Sequence, residues 1–62
     1  MVIFDFKERG MAFAVRNTAR IAIGDEAINK ISLSGRRLDV HRSIANRVER
    51  IAKKSGAKFS RA

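Results

Sequence analysis

The sequence lacks several residue types, and each absence narrows what the protein can be. Its 62 residues include no cysteine, proline, tryptophan or tyrosine. Without cysteine there is neither a disulfide nor a thiolate metal site, and the single histidine, His41, has too few neighbouring ligands to hold zinc. We therefore expect no metal and no cofactor. A chain this short buries only about 60% of its unfolded surface, so we expect a homo-oligomer or another partner to add burial.

Long apolar runs are also missing. The longest cover residues 2–4 and 11–15, whereas a membrane-spanning helix needs roughly 20 apolar residues. The first residues lack the basic start and apolar core of a signal peptide. These features predict an intracellular, cytoplasmic protein, located in host cytoplasm or in a virion if it is viral.

Positive charge is abundant and unevenly placed. The chain carries 14 lysines and arginines against six acidic residues, a net charge of +8. Residues 1–35 hold five basic and four acidic side chains, and residues 36–62 hold nine basic and two acidic ones. Such asymmetry points to a polyanionic partner: nucleic acid, an anionic membrane or an acidic protein.

The N-terminal half shows alternation of apolar and polar residues. Residues 2–7 alternate with β-branched and aromatic side chains, which predicts a strand. Residues 11–23 allow two interpretations, because their four alanines favour a helix whereas their large apolar residues form no single stripe at 100° per residue. We therefore predict further short antiparallel strands there. Asp25 can cap a short helix over residues 26–33, followed by a turn at Ser34 and Gly35.

The C-terminal half contains the clearest element. Val40, Ile44, Val48 and Ile51 recur at helical spacing. Asp39 is a suitable N-cap and Gly56 a suitable C-terminal stop, so we predict a helix over residues 39–55. The resulting fold class is α+β: an N-terminal antiparallel hairpin or meander, a short helix, and a long basic amphipathic helix. Residues 1–56 are expected to form one domain and residues 57–62 a flexible basic tail.

Basic side chains crowd the polar face of the long helix and the turn before it. We expect phosphate contacts from Arg36, Arg37, Arg42, Arg47, Arg50, Lys53 and Lys54. A merely solvated face usually mixes both signs of charge, and arginine suits phosphate oxygens well. The pattern therefore predicts a non-enzymatic, regulatory or architectural protein that binds DNA or RNA. Helix-turn-helix and ribbon-helix-helix arrangements fit less well, since the turn is long and Asp5 would face the bases.

Other partners and activities find little support in the residues. The apolar stripe of the long helix is valine, isoleucine and alanine, whereas membrane-surface helices carry tryptophan, phenylalanine or leucine. The serines have no histidine and carboxylate arranged as partners, and the four glycines form no phosphate-binding loop. We therefore expect no enzyme, no small-molecule substrate and no membrane partner. His41 and Phe59 are interpreted as structural residues.

The segment VHRSIANRVERIAKKSGAKF, residues 40–59, resembles part of the small head-to-tail connector (neck) proteins of tailed bacteriophages. The match consists of Arg50, Ile51, Ala52, Ser55, Gly56 and Phe59. It covers about a third of the chain, in a charged amphipathic helix and its glycine stop. The resemblance implies a virion assembly protein that forms an oligomeric ring, with these residues at subunit contacts. A small viral inhibitor of a host protein is a third hypothesis.

Overall fold

The computed structural model describes residues 1–62 in full. Four strands and two helices follow one another in the order βαββαβ. The elements are β1 (Val2–Phe6), α1 (Arg9–Ile23), a 3-10 turn (Gly24–Ala27), β2 (Ile31–Ser34), β3 (Arg37–Val40), α2 (Arg42–Lys54) and β4 (Phe59–Arg61). The protein is therefore of the α+β class, as the sequence predicted.

The four strands form one antiparallel sheet in the order β2-β3-β1-β4. The two central strands, β1 and β3, are not consecutive in sequence, because α1 and β2 lie between them. This order of elements and strands is the split βαβ, or ferredoxin-like, topology. Both helices pack on the same face of the sheet, and the other face is open to solvent.

Small residues let the helices lie close to the sheet. The strands contribute buried Phe4, Phe6, Ile31, Leu38 and Val40. Against them pack Ala12, Val15, Ala19, Ile44, Ala45, Val48 and Ala52 from the two helices. Alternation along the strands sends every second side chain to the open face. That face carries Ile3, Asp5, Ser32, Ser34, Arg37, Asp39 and Ser60, so it is small and mostly polar.

The strands predicted over residues 11–23 are wrong, because this segment is the helix α1. Its buried face consists of Ala12, Val15 and Ala19, which recur at helical spacing. Phe13 and Ile21 are 50% and 85% exposed. These two large apolar residues therefore lie outside the buried face of the helix and do not mark it. β1 consequently finds its partners in β3 and β4, and the predicted N-terminal hairpin does not form.

Two further sequence predictions fail near the sheet edges. Residues 26–33 do not form a short helix, since only a 3-10 turn precedes β2. Ile31 and Leu33 alternate with serines, and this period of two suits a strand with one covered face. The predicted mobile tail instead contains β4, which pairs with β1. Its Phe59 ring lies 5.7 Å from that of Phe4 and 5.5 Å from that of Phe6, measured between centroids.

The long helix is present but begins three residues later than predicted. Asp39 and Val40 belong to β3, and His41 is the N-cap, where its Nδ1 accepts a hydrogen bond from the Ser43 backbone N–H at 3.1 Å. The aliphatic stripe is confirmed for Ile44 and Val48, which are fully buried, and in part for Ile51, which is partly buried against the core. Val40 is buried as a residue of β3. The stop at Gly56 is also confirmed, since its φ is +73°.

The chain leaves α2 through a Schellman motif. The Gly56 N–H donates to the carbonyl of Lys53 at 3.1 Å, and the Ala57 N–H donates to that of Ala52 at 3.2 Å. This reversal directs residues 57–62 back towards the sheet, where β4 adds to the free edge of β1.

Candidate functional site

The seven basic residues expected to contact phosphate do not form one surface. Arg36 lies in the two-residue loop between β2 and β3, and Arg37 extends from the open face of the sheet. The other five lie on α2, whose rise of about 1.5 Å per residue places Arg42 and Lys53 about 16 Å apart along the axis. The candidate site must therefore contain fewer than the seven residues that the sequence suggested.

Three of the α2 cations lie in a row beside α1. Arg47, Arg50 and Lys54 are spaced by three and four residues, which places them on one side of the helix. They line a cavity of about 240 Å³ together with Ile51 of α2 and Ala22 and Ile23 of α1. We call this cavity the helix groove. It combines a basic wall with an apolar floor.

The helix groove keeps an excess of positive charge. Arg47 shares Glu26 with Lys30, at N–O distances of 3.5 Å and 3.2 Å. Arg50 and Lys54 have no acidic side chain within 4 Å. The hydrogen bond and charge of Lys30, followed by the charge of Arg47, hold the pKa of Glu26 below its ordinary value of 4.5. Glu26 thus pairs with both Lys30 and Arg47. Arg50 and Lys54 are left available to an external anion.

Besides Arg47, two more of the seven cations form ion pairs within the protein. Lys53 lies 3.4 Å from Glu49, which also accepts a hydrogen bond from Arg61 of β4. Arg37 pairs with its strand neighbour Asp39 at 2.9 Å, and its terminal nitrogen donates to the second carboxylate oxygen at 3.2 Å. Arg36 and Arg42 are exposed and have no acidic partner within 4 Å. They lie outside the helix groove.

The sequence did not predict the contribution of α1 to the helix groove, which is two of its six lining residues. Ala22 and Ile23 were assigned to a strand, so nothing indicated that they would face the basic row of α2. The alanine content of residues 11–23 was the available signal, because alanine favours a helix more than any other residue.

The open face of the sheet offers no platform for stacking bases. RNA-binding modules with a four-stranded sheet stack bases on aromatic side chains of the strands. Here Phe4 and Phe6 are buried under the helices, Phe59 packs on them, and Phe13 lies on α1. The helix-turn-helix arrangement is also excluded, since a β-hairpin separates α1 from α2. A ribbon-helix-helix dimer would need a free β1, and β1 has a partner on each side.

The chain offers neither a metal-ligand cluster nor a membrane-spanning helix. No group of three or more histidine, cysteine, aspartate or glutamate side chains lies close enough together to hold a metal ion. Neither helix has the length and apolar character required to cross a bilayer. Comparison with protein-family models, curated proteins and solved structures gives no match.

Proposed function

We propose that this protein binds nucleic acid, with the basic row of the helix groove as its main contact surface. The observation that carries the proposal is the alignment of Arg47, Arg50 and Lys54 on one side of α2, with only Glu26 to offset them. Consecutive cations along a helix side suit the consecutive negative charges of a phosphate backbone. The role is non-enzymatic, regulatory or architectural, in an intracellular setting.

Binding of this kind is directed at phosphates and carries little base preference. Phosphate contacts position a protein on nucleic acid without reading sequence. Base readout needs side chains that enter a groove or aromatic rings that stack on exposed bases. The four phenylalanines are placed elsewhere, as described above. We therefore expect similar affinity for unrelated sequences of equal length and strandedness.

The test replaces the two groove cations that have no acidic partner. In the Arg50→Gln/Lys54→Gln variant, two phosphate contacts are lost. The slope of log Kobs against log salt should fall in magnitude by about 1.8 for duplex DNA or about 1.4 for single strands. Filter binding at four or more salt concentrations measures this slope, and circular dichroism checks the fold.

A matched control removes the same charge elsewhere. Arg9 and Arg20 lie on the side of α1 turned away from Ala22, and neither has an acidic partner within 4 Å. The Arg9→Gln/Arg20→Gln variant should retain most of the salt slope of the wild type. Equal slopes for the two double variants would show that only net charge matters. Absence of binding to DNA and RNA at low salt would refute the proposal altogether.

A second candidate function is a ring-forming virion component of the connector type. The observation that favours it is the apolar surface left on and after α1, where Phe13, Ile21 and Ile28 are each at least half exposed. Exposed apolar side chains of this size are typical of subunit contacts when they form one patch. Of the residues that carry the resemblance, Ala52 is buried and Phe59 packs on Phe4 and Phe6 within the chain. A ring would therefore use α1 in preference to those residues.

A further inference from the structure

A second cluster of cations forms at one end of the sheet, away from the helix groove. Lys7 follows β1, Arg36 lies in the loop before β3, and Lys58 precedes β4. The antiparallel register brings these three positions together, because Asp5 of β1 lies opposite Arg37 and Phe6 lies opposite Phe59. We call these three residues the sheet-end cluster.

Backbone hydrogen bonds fix the positions from which the three side chains extend. The Phe6 N–H donates to the carbonyl of Arg36 at 2.8 Å, and the Lys7 N–H donates to the carbonyl of Lys58 at 3.0 Å. Backbone hydrogen bonds between neighbouring strands thus hold the three residues of the cluster together. It could not be recognised from the sequence, in which the three residues are separated by more than 20 positions each.

The sheet-end cluster lines a shallow cavity of about 410 Å³. The other lining residues are Asp5, Phe6, Phe59 and Ser60. None of the three cations has an acidic partner within 4 Å, and Asp5 forms no ion pair either. The cavity therefore holds three positive charges and one negative charge. Cations held together in this way repel one another, and a bound anion relieves that repulsion.

The geometry points to a binding site for a phosphate monoester in this cavity. The excess of positive charge is two for this cavity and one when Glu8 of the adjoining cavity is included. It attracts a monoester, which carries about −1.5 to −2 at pH 7, more strongly than a singly charged diester. Arg36 supplies a planar guanidinium group, which can donate two parallel hydrogen bonds to phosphate oxygens. Lys7 and Lys58 supply point charges, and the Ser60 hydroxyl adds a neutral donor.

Two sources could supply this group. One is the terminal phosphate of a nucleic acid strand, and this source rests on the proposed function and deepens it. The other is a small phosphate monoester, whose binding does not require nucleic acid. Both present the same dianion to the cavity, so one set of variants tests both sources.

The first experiment titrates phenyl phosphate into the protein and follows backbone amide shifts by NMR. We expect saturable shifts at Lys7, Arg36, Lys58 and Ser60. The Lys7→Gln/Lys58→Gln variant should bind more weakly, by up to about fivefold for each lysine removed. Asp5→Asn should bind more tightly, by a similar factor for one charge. The control Arg20→Gln/Arg42→Gln removes two cations that line neither the helix groove nor the sheet-end cavity, and it should bind as the wild type does.

Three results would overturn the inference. They are equal affinity of the Lys7→Gln/Lys58→Gln variant and the wild type, shifts centred outside the cavity, and dimethyl phosphate binding as tightly as phenyl phosphate. The backbone hydrogen bonds do not involve the lysine side chains, so these variants should keep the fold. An amide spectrum with unchanged dispersion checks this.

The second experiment identifies the source by comparing 5′-phosphorylated and 5′-hydroxyl oligonucleotides of one sequence. A preference for the phosphorylated strand that is lost in Lys7→Gln/Lys58→Gln supports a terminal phosphate. Absence of preference, with phenyl phosphate still bound in the cavity, supports a small monoester. If neither oligonucleotide binds at low salt, the proposed function fails while the phenyl phosphate titration still decides this inference. If oligonucleotides bind and phenyl phosphate does not, only the inference fails.

Discussion

Glu49 joins the long helix to the last strand of the sheet. Its carboxylate pairs with Lys53 on the next turn of α2 and accepts a hydrogen bond from Arg61 of β4. Arg61 also donates to Asn46 at 3.0 Å, and its guanidinium carbon lies 5.7 Å from the centre of the Phe4 ring. One acidic side chain thus connects two elements that are adjacent in sequence but joined only by a short turn. The hydrogen bond from Arg61, with smaller effects of Lys53, lowers the pKa of Glu49 below 4.5.

The lowered pKa of Glu49 predicts a loss of stability in acid. A carboxylate whose pKa falls on folding stabilises the folded state above its unfolded pKa. That contribution disappears as the pH falls through the lower folded value. The free energy of unfolding, measured with urea between pH 7 and pH 3, should therefore decline below about pH 4.5. Glu26 acts in the same direction, because Lys30 and Arg47 lower its pKa.

Two variants separate this effect from general acid destabilisation. Glu49→Gln should be less stable than the wild type at pH 7 and should show a shallower decline, so that the two curves converge in acid. Arg61→Gln removes the hydrogen-bond donor from β4 to Glu49, and its stability should likewise decline less steeply with falling pH. Parallel curves for Glu49→Gln and the wild type would contradict the prediction.

The two helices differ in how readily the sequence discloses them. In α2 the large buried residues are Ile44 and Val48. Their spacing of four residues identifies the helix from the sequence alone. In α1 the buried face consists of two alanines, Ala12 and Ala19, with Val15 between them. Which side of α1 is covered depends on the sheet beneath it, and that information is not contained in residues 11–23 alone.

A pair of substitutions in α1 tests which face of this helix is buried and which is exposed. Ala19 is fully buried and Ile21 is 85% exposed, although isoleucine is the larger and more apolar residue. Ala19→Leu should destabilise by about 1–3 kcal/mol, because added methylenes overpack a filled core. Ile21→Gln should change stability by less than about 0.5 kcal/mol. Chemical denaturation measures both values. In a strand, Ala19 and Ile21 would lie on one face and would give similar responses.

The strands also differ in predictability, for reasons of context. β1 alternates clearly over five residues and was predicted. β4 has three residues and becomes a strand because β1 has a free edge beside it and Phe59 can reach Phe4 and Phe6. β2 has four residues and follows a turn that suits a helix start equally well. Short edge strands depend on long-range pairing, which local periodicity does not record.

At the scale of the whole molecule, the sequence predicted the sign of the candidate surface but not its shape. The excess charge after residue 35 and the helical spacing of Arg47, Arg50 and Lys54 were visible. The helix groove needs Ala22 and Ile23 from α1, and the sheet-end cluster needs Lys7 beside Lys58. Both depend on how β1, α1 and β4 pack. A site built from several elements is predictable only after the topology is known.

The exposed area bears on the oligomeric state. A compact monomer of 6.9 kDa is expected to expose about 4,000 Å², and this chain exposes 4092 Å². One copy therefore exposes about as much surface as a typical folded monomer of its mass. The net charge of +8 adds repulsion between copies at low salt. The self-association expected from chain length is thus not needed for a compact fold.

We therefore predict a monomer in the absence of nucleic acid. Sedimentation should give a single species of about 6.9 kDa, and the thermal midpoint should stay constant over about a hundredfold range of protein concentration. A midpoint that rises with concentration, or a discrete ring, would contradict this and favour the connector-type function. In that case Ile21→Gln should restore the monomer, because Ile21 is the most exposed large apolar residue. An oligomer that persists in Ile21→Gln would place the subunit contact on another surface, such as the open face of the sheet.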